Sequence, residues 1–204
     1  VKIKKKKEKI PNPEKIKAFL DEYIISQDDA KIAVSVAVYN HYKRINSTDK
    51  TTEIEKSNLL MVGSSGSGKT LTVKTIAKMF NLPCVIADAT TITESGYVGD
   101  DAASLIRRLL QDADNDIERA QQGIIFIDEI DKKARKSESS ATNRDISGEG
   151  VQQALLKLIE GTKVRIEDDF SDDVEFDTSN VLFICSGAFT GLDEIIRKNR
   201  SQTS

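Results

Sequence analysis

Gly63-Ser64-Ser65-Gly66-Ser67-Gly68-Lys69-Thr70 decides how this chain is read. It meets the phosphate-binding pattern G-x-x-x-x-G-K-[ST] at every fixed position. The apolar run Leu59-Leu60-Met61-Val62 precedes it and reads as a buried strand. Leu71, Val73, Ile76, Ala77 and Phe80 follow at helical spacing, so the loop lies between a strand and a helix. Its glycines let backbone N–H groups turn inward around a phosphate. Ser65, Gly66, Ser67, Gly68 and Leu71 belong to this cradle. Lys69 supplies a point charge for the β- and γ-phosphates, and Thr70 a hydroxyl for Mg²⁺. The helix that opens at the loop adds the positive end of its dipole.

A second strand-like run, Gly123-Ile124-Ile125-Phe126-Ile127, ends in Asp128-Glu129. In a phosphate-loop fold, an acid so placed holds Mg²⁺ together with the loop Ser/Thr. Asp128 takes that role, and Glu129 is placed to orient and deprotonate a water. Polar residues that merely end a strand are the bland alternative; the phosphate loop in the same chain weighs against it.

Further apolar runs at Val85–Ala87 and Val181–Cys185 alternate with helical patterns at 105–110 and 151–159. This alternation predicts an α/β fold with a mostly parallel sheet covered on both faces. Upstream, Ile16, Phe19, Leu20 and Tyr23 keep helical spacing, and Asp28 reads as the N-cap of a second helix through Tyr42. Lys132–Asn143 reads as a polar loop, and Gly161 as a helix stop. Residues 164–176 carry six acids between Glu167 and Glu175 and read as an exposed hairpin or loop.

Composition narrows the function classes. The chain has 204 residues and a net charge of −3, so no global basic field argues for nucleic acid. No apolar stretch approaches the roughly 18–20 residues of a membrane span. Cys84 and Cys185 stand apart in strand-like surroundings, read as reduced and packed, and cannot form a Cys₄ zinc site. The basic arm 1–10 reads as a solvated terminus before a domain at 11–204.

Five stretches carry a family resemblance. They are Tyr39-Asn40-His41-Tyr42-Lys43-Arg44, Ala87-Asp88-Ala89-Thr90, Gly96-Tyr97-Val98-Gly99, Ile127-Asp128-Glu129-Ile130-Asp131-Lys132, and Ser147-Gly148-Glu149-Gly150-Val151-Gln152-Gln153-Ala154-Leu155-Leu156-Lys157. They closely resemble the ClpX family of AAA+ protein unfoldases, and the similarity runs from about Pro11 to Ile196. The resemblance implies the three-layer AAA+ P-loop NTPase fold, here its large nucleotide-binding subdomain. It implies an ATPase that threads unfolded or tagged proteins through a homohexameric pore to a ClpP-type peptidase. The bacterial cytoplasm, or an organelle matrix in a eukaryote, is the matching compartment. Tyr97 and Val98 match the main pore loop, where an aromatic between glycines can grip any passing chain; composition alone would fold Tyr97 back on the core. Arg144 and Asp145 match a second pore loop. Ile24 and Ile25 match residues that contact adenine, and core packing is their other reading. His41 reads as structural. Ser186 follows the fourth strand, where AAA+ proteins often place a γ-phosphate sensor, although the family tends to have Gly.

The departures are as informative. The family's zinc-binding domain has no counterpart here. Its arginine finger, second sensor arginine, lid and peptidase-docking loop match no residue up to Ser204. The acidic 162–176 loop stands where relatives carry a longer basic one. An arginine finger is worth about 10³–10⁵ in rate, so little turnover is expected of these residues alone. The competing expectation is a nucleotide-binding module that docks on a full-length ring without driving unfolding.

Overall fold

The computed structural model describes residues 10–47, 55–93, 101–135, 149–166, 174–192 and 196–197. Helices α1 (Pro13–Asp21) and α2 (Asp28–Asn46) precede strand β1 (Leu59–Val62) and helix α3 (Lys69–Phe80). Then come β2 (Cys84–Asp88), α4 (Ala102–Asp112), the short α5 (Ile117–Ala120), β3 (Ile124–Asp128), α6 (Ile130–Arg135) and α7 (Glu149–Glu160). A hairpin of β4 (Lys163–Ile166) and β5 (Val174–Asp177) leads to β6 (Leu182–Gly187). The main sheet has the order β1-β6-β3-β2, and every pairing in it is parallel.

Side chains alternate across a strand, and β3 shows the outcome. Ile125 and Ile127 face one core with Leu105, Leu109, Leu155 and Leu158 from α4 and α7. Ile124 and Phe126 face the other, with Ile16, Leu20, Val38, Val73 and Ile76 from α1, α2 and α3. The expected two-faced sheet is present.

The sheet's two edges differ. On β2, the Cys84 N–H donates to Asp112 at 2.8 Å, and Arg108 donates to the Ile86 carbonyl at 2.7 Å. The α4 side chains thus close that edge. β1 forms the other edge, and among the described residues no side chain bonds its backbone. This corrects the reading of Leu59–Val62 as a buried strand: Leu59 and Met61 pack toward the core of α1, α2 and α3, while Leu60, 59% exposed, and Val62, 56% exposed, alternate onto the opposite face, which is open there among the described residues.

Two smaller boundaries also move. Gln27, in the left-handed region, is the residue before α2, and Asp28 lies inside the helix, paired with Lys17 and Lys31. Lys132–Arg135 continue α6 rather than starting a loop. The acidic stretch is a hairpin on either side of 167–173, which lie outside the described residues.

The Tyr39–Arg44 stretch binds α2 to the turn before β6. His41, Arg44 and Lys56 donate to the carbonyls of Asn180 (3.1 Å), Ser179 (3.0 Å) and Thr178 (3.1 Å) respectively. Against a carbonyl, the His41 Nε2 must carry the hydrogen, and the buried Nδ1 has no partner among the described residues. Burial, then the Arg44 charge, pulls this imidazole down to about 4.

A pH dependence follows. The unfolded chain protonates this ring near 6.5, before the folded chain does. Stability is intact above that pH, falls between about 6.5 and 4, and levels off once the folded ring also protonates. The loss is about 2 kcal/mol by pH 5 at roughly 1.4 kcal/mol per unit of difference. His41→Gln, which keeps a donor but cannot titrate, should shrink the drop in urea midpoint between pH 7 and pH 5. An unchanged drop would assign the acid sensitivity elsewhere.

Candidate nucleotide-binding site

The carboxyl ends of β1, β6 and β3 surround a cavity of about 270 Å³. This is where parallel α/β sheets place ligands, outside the strand ends and at a change of strand order. The loop between β1 and α3 contributes Ser65, Gly66 and Gly68, and the first turn of α3 contributes Lys69, Thr70 and Leu71. The end of β3 and the start of α6 contribute Asp128, Glu129, Asp131 and Lys132, and the end of β6 contributes Gly187 and Ala188.

The loop owes its course to two glycines. Gly66 has φ +78° and Gly68 φ +90°, while an added Cβ would meet nothing within 4 Å among the described residues at either position. The demand is conformational, since an L side chain rarely adopts these angles. Gly68 caps α3 without a side chain. By contrast α1, α4 and α5 are capped by Asn12, Asp101 and Asp116. The first-turn amides of α3 are therefore left available to an anion.

Lys69 lies in the loop's grip. Its Nζ donates to the carbonyls of Gly63 at 2.7 Å and Ser64 at 2.8 Å, with Ser67 Oγ at 3.5 Å. Ser67 and Lys69 also line a second cavity of about 270 Å³, between α2 and β1. Ile24 is buried in the core, 5% exposed, and Ile25 stands 92% exposed. Neither lines either cavity.

Thr70 and Asp128 meet across the sheet. Thr70 Oγ1 lies 3.5 Å from Asp128 Oδ2. The other carboxylate oxygen, Oδ1, accepts the Glu129 N–H at 2.9 Å and the Ser186 hydroxyl. Two hard oxygen donors side by side, with open cavity beyond them, suit Mg²⁺. That ion takes few protein ligands and completes its shell with water and phosphate. Glu129 has φ +57°, an uncommon conformation for a residue with a side chain. Its carboxylate pairs with Lys132 Nζ at 2.6 Å, and that contact raises the Lys132 ammonium above its ordinary range.

The ends of β3 and β6 are locked together. Asp131 accepts the Phe189 N–H at 3.0 Å. A Cβ at Gly187 would strike the Asp131 carboxylate and come within 2.9 Å of the Phe189 ring, so any larger residue there would push both side chains aside. Asp131, Lys132, Gly187 and Ala188 join the site without having been expected from their own residue types. Their signal was positional: they immediately follow the acid pair and the fourth strand. Tyr97, Val98, Arg144 and Asp145 lie outside the described residues.

A family model described as AAA domain (Cdc48 subfamily) matches residues 54–204, well over half of the chain. The chain belongs to this AAA domain family. It is similar to three bacterial proteins that bear the name ATP-dependent Clp protease ATP-binding subunit ClpX, one of them ClpX 2. The Treponema denticola protein is 54% identical over 195 residues, which are 92% of this chain and 47% of that protein. The Wolinella succinogenes ClpX 2 is 53% identical over 199 residues, 94% of this chain and 50% of its own length. The Porphyromonas gingivalis protein is 52% identical over 199 residues, 94% and 48% respectively. The chain thus spans about half the length of the curated relatives it matches. The phosphate loop and the Asp128–Glu129 pair line one cavity at the strand ends of this domain.

Proposed function

We propose that this chain is the nucleotide-binding part of an ATP-driven protein unfoldase. The observation that carries the proposal is the approach of Thr70 to Asp128, 3.5 Å apart, beneath a loop whose glycines and uncapped helix start suit a polyphosphate. Lys69 exchanges its loop carbonyls for the β- and γ-phosphate oxygens. The first-turn amides of α3 take the remaining phosphate contacts. Thr70 and Asp128 would hold Mg²⁺, which when bound neutralises charge spread over the phosphate oxygens. Glu129 accepts a proton from the attacking water, and Lys132 keeps that carboxylate on the cavity wall.

The wider machine rests on the resemblance and on the relatives' names. We propose a homohexameric ring, in which Tyr97, Val98, Arg144 and Asp145 grip a threaded polypeptide, and a ClpP-type peptidase as partner. A bacterial cytoplasm or an organelle matrix is the proposed location. Among the described residues no helix is long and apolar enough to cross a membrane.

Calorimetric titration with ATP tests the core of the proposal. Binding should be saturable and strengthened by Mg²⁺ relative to EDTA. Absence of any nucleotide heat, in this chain and in a longer form carrying the rest of the relatives' length, would overturn it.

A further inference from the structure

Ser186 is fully buried at the end of β6, and its hydroxyl is committed. It donates to Asp128 Oδ1, the same oxygen that accepts the Glu129 N–H at 2.9 Å. The two oxygens of Asp128 therefore have separate surroundings. Oδ1 is held by two donors from the protein, and Oδ2 is turned toward Thr70 Oγ1 at 3.5 Å and the cavity. A carboxylate free to rotate about its last torsion would present either oxygen, since such sp³–sp² torsions are broad and roughly two-fold. Two donors on one oxygen remove that freedom. The strand that carries Ser186 is itself fixed, through the Phe189 N–H on Asp131 at 3.0 Å and the close approach at Gly187.

We infer that Ser186 is a positioning residue for the divalent-cation site: its buried hydroxyl anchors one oxygen of Asp128 so that the other is presented beside Thr70. The inference rests on the proposed reading of the cavity as a magnesium–nucleotide site. It gives Ser186 a different task from sensing phosphate, because its hydrogen is already donated to Asp128. Groups that hold a metal's ligands typically change metal affinity about 10–100-fold when removed. Ser186 shares its task with the Glu129 N–H, so the low end of that range applies.

The test is ADP binding by calorimetry, in Mg²⁺ and in EDTA, for the wild-type chain, Ser186→Ala and Ser186→Thr, each with its melting temperature. The gain in affinity that Mg²⁺ confers should fall about tenfold in Ser186→Ala, with EDTA binding unchanged. Ser186→Thr, which keeps the hydroxyl, should restore most of the gain. An undiminished gain in Ser186→Ala overturns the inference. So does an equal loss in Mg²⁺ and EDTA, or a loss in both variants, since either would make the role one of packing. If the wild type binds ADP equally well with and without Mg²⁺, this inference falls and the nucleotide site stands. If neither this chain nor the longer form binds any ADP, both fall.

Discussion

Lys69→Ala is expected to weaken Mg·ATP binding by about 100-fold and to leave the melting temperature almost unchanged. Hydrogen bonds to charged groups contribute about 1.5–3 kcal/mol each. Two such contacts to phosphate, less what Lys69 gives up, leave roughly 3 kcal/mol, and each 1.4 kcal/mol is tenfold in affinity. What it gives up is small. Its present partners are the Gly63 and Ser64 carbonyls of a surface loop, which water can satisfy when the ammonium leaves. The same reasoning explains the stability forecast, since the α3 side chains that build the core are Val73, Ile76 and Ala77. Arginine should not rescue the loss, because its planar fork does not reproduce a compact point charge. Fluorescent-nucleotide titration with a parallel thermal melt reads both halves. A change in affinity below threefold would remove Lys69 from the phosphate site.

Glu129→Gln should separate binding from chemistry. Glutamine keeps the shape and loses the proton acceptor, and general-base catalysis contributes about 10²–10⁴-fold. We expect bound ATP to convert to ADP slower by that factor, with ATP affinity within about threefold of wild type. Nucleotide extracted from the variant should remain largely ATP where wild type yields ADP. The substitution also breaks the ion pair with Lys132, but both partners are well exposed, and such surface pairs contribute little to stability. The measurement belongs in the longest available form of the protein, where turnover is measurable. Equal conversion in variant and wild type would show that Glu129 is not the base.

Much of this was legible in the sequence because the signals are local. The phosphate loop is eight consecutive residues, and its glycines state their backbone needs directly. Ile124–Asp128 is a short apolar run ending in acid, so its strand and its burial follow from composition. The two-faced sheet follows from the alternation of such runs with helical patterns. Other features depend on partners far along the chain and had no local signature. Leu59–Val62 looks like any buried strand, and only the packing on the two sheet faces shows Leu59 and Met61 covered and Leu60 and Val62 exposed. Ser186 could be placed near the site by its strand, but its orientation depends on Asp128, 58 positions away. Ile24 and Ile25 are adjacent and chemically identical, yet one turn of backbone sends the first into the core and the second into solvent. Gln27 enters α2 from a left-handed conformation that nothing in its residue type announces.

The unequal edges of the main sheet have a consequence for how the chain behaves when crowded. Unprotected strand edges are the usual docking points for stray β-pairing. With β2 already closed by Asp112 and Arg108, the β1 flank is, among the described residues, the adhesive edge of this sheet. Two copies joined flank to flank would use up that adhesiveness in a single self-complementary seam. Sheet-extending growth from this layer would then stop at pairs, where a sheet open on both sides could lengthen into fibres.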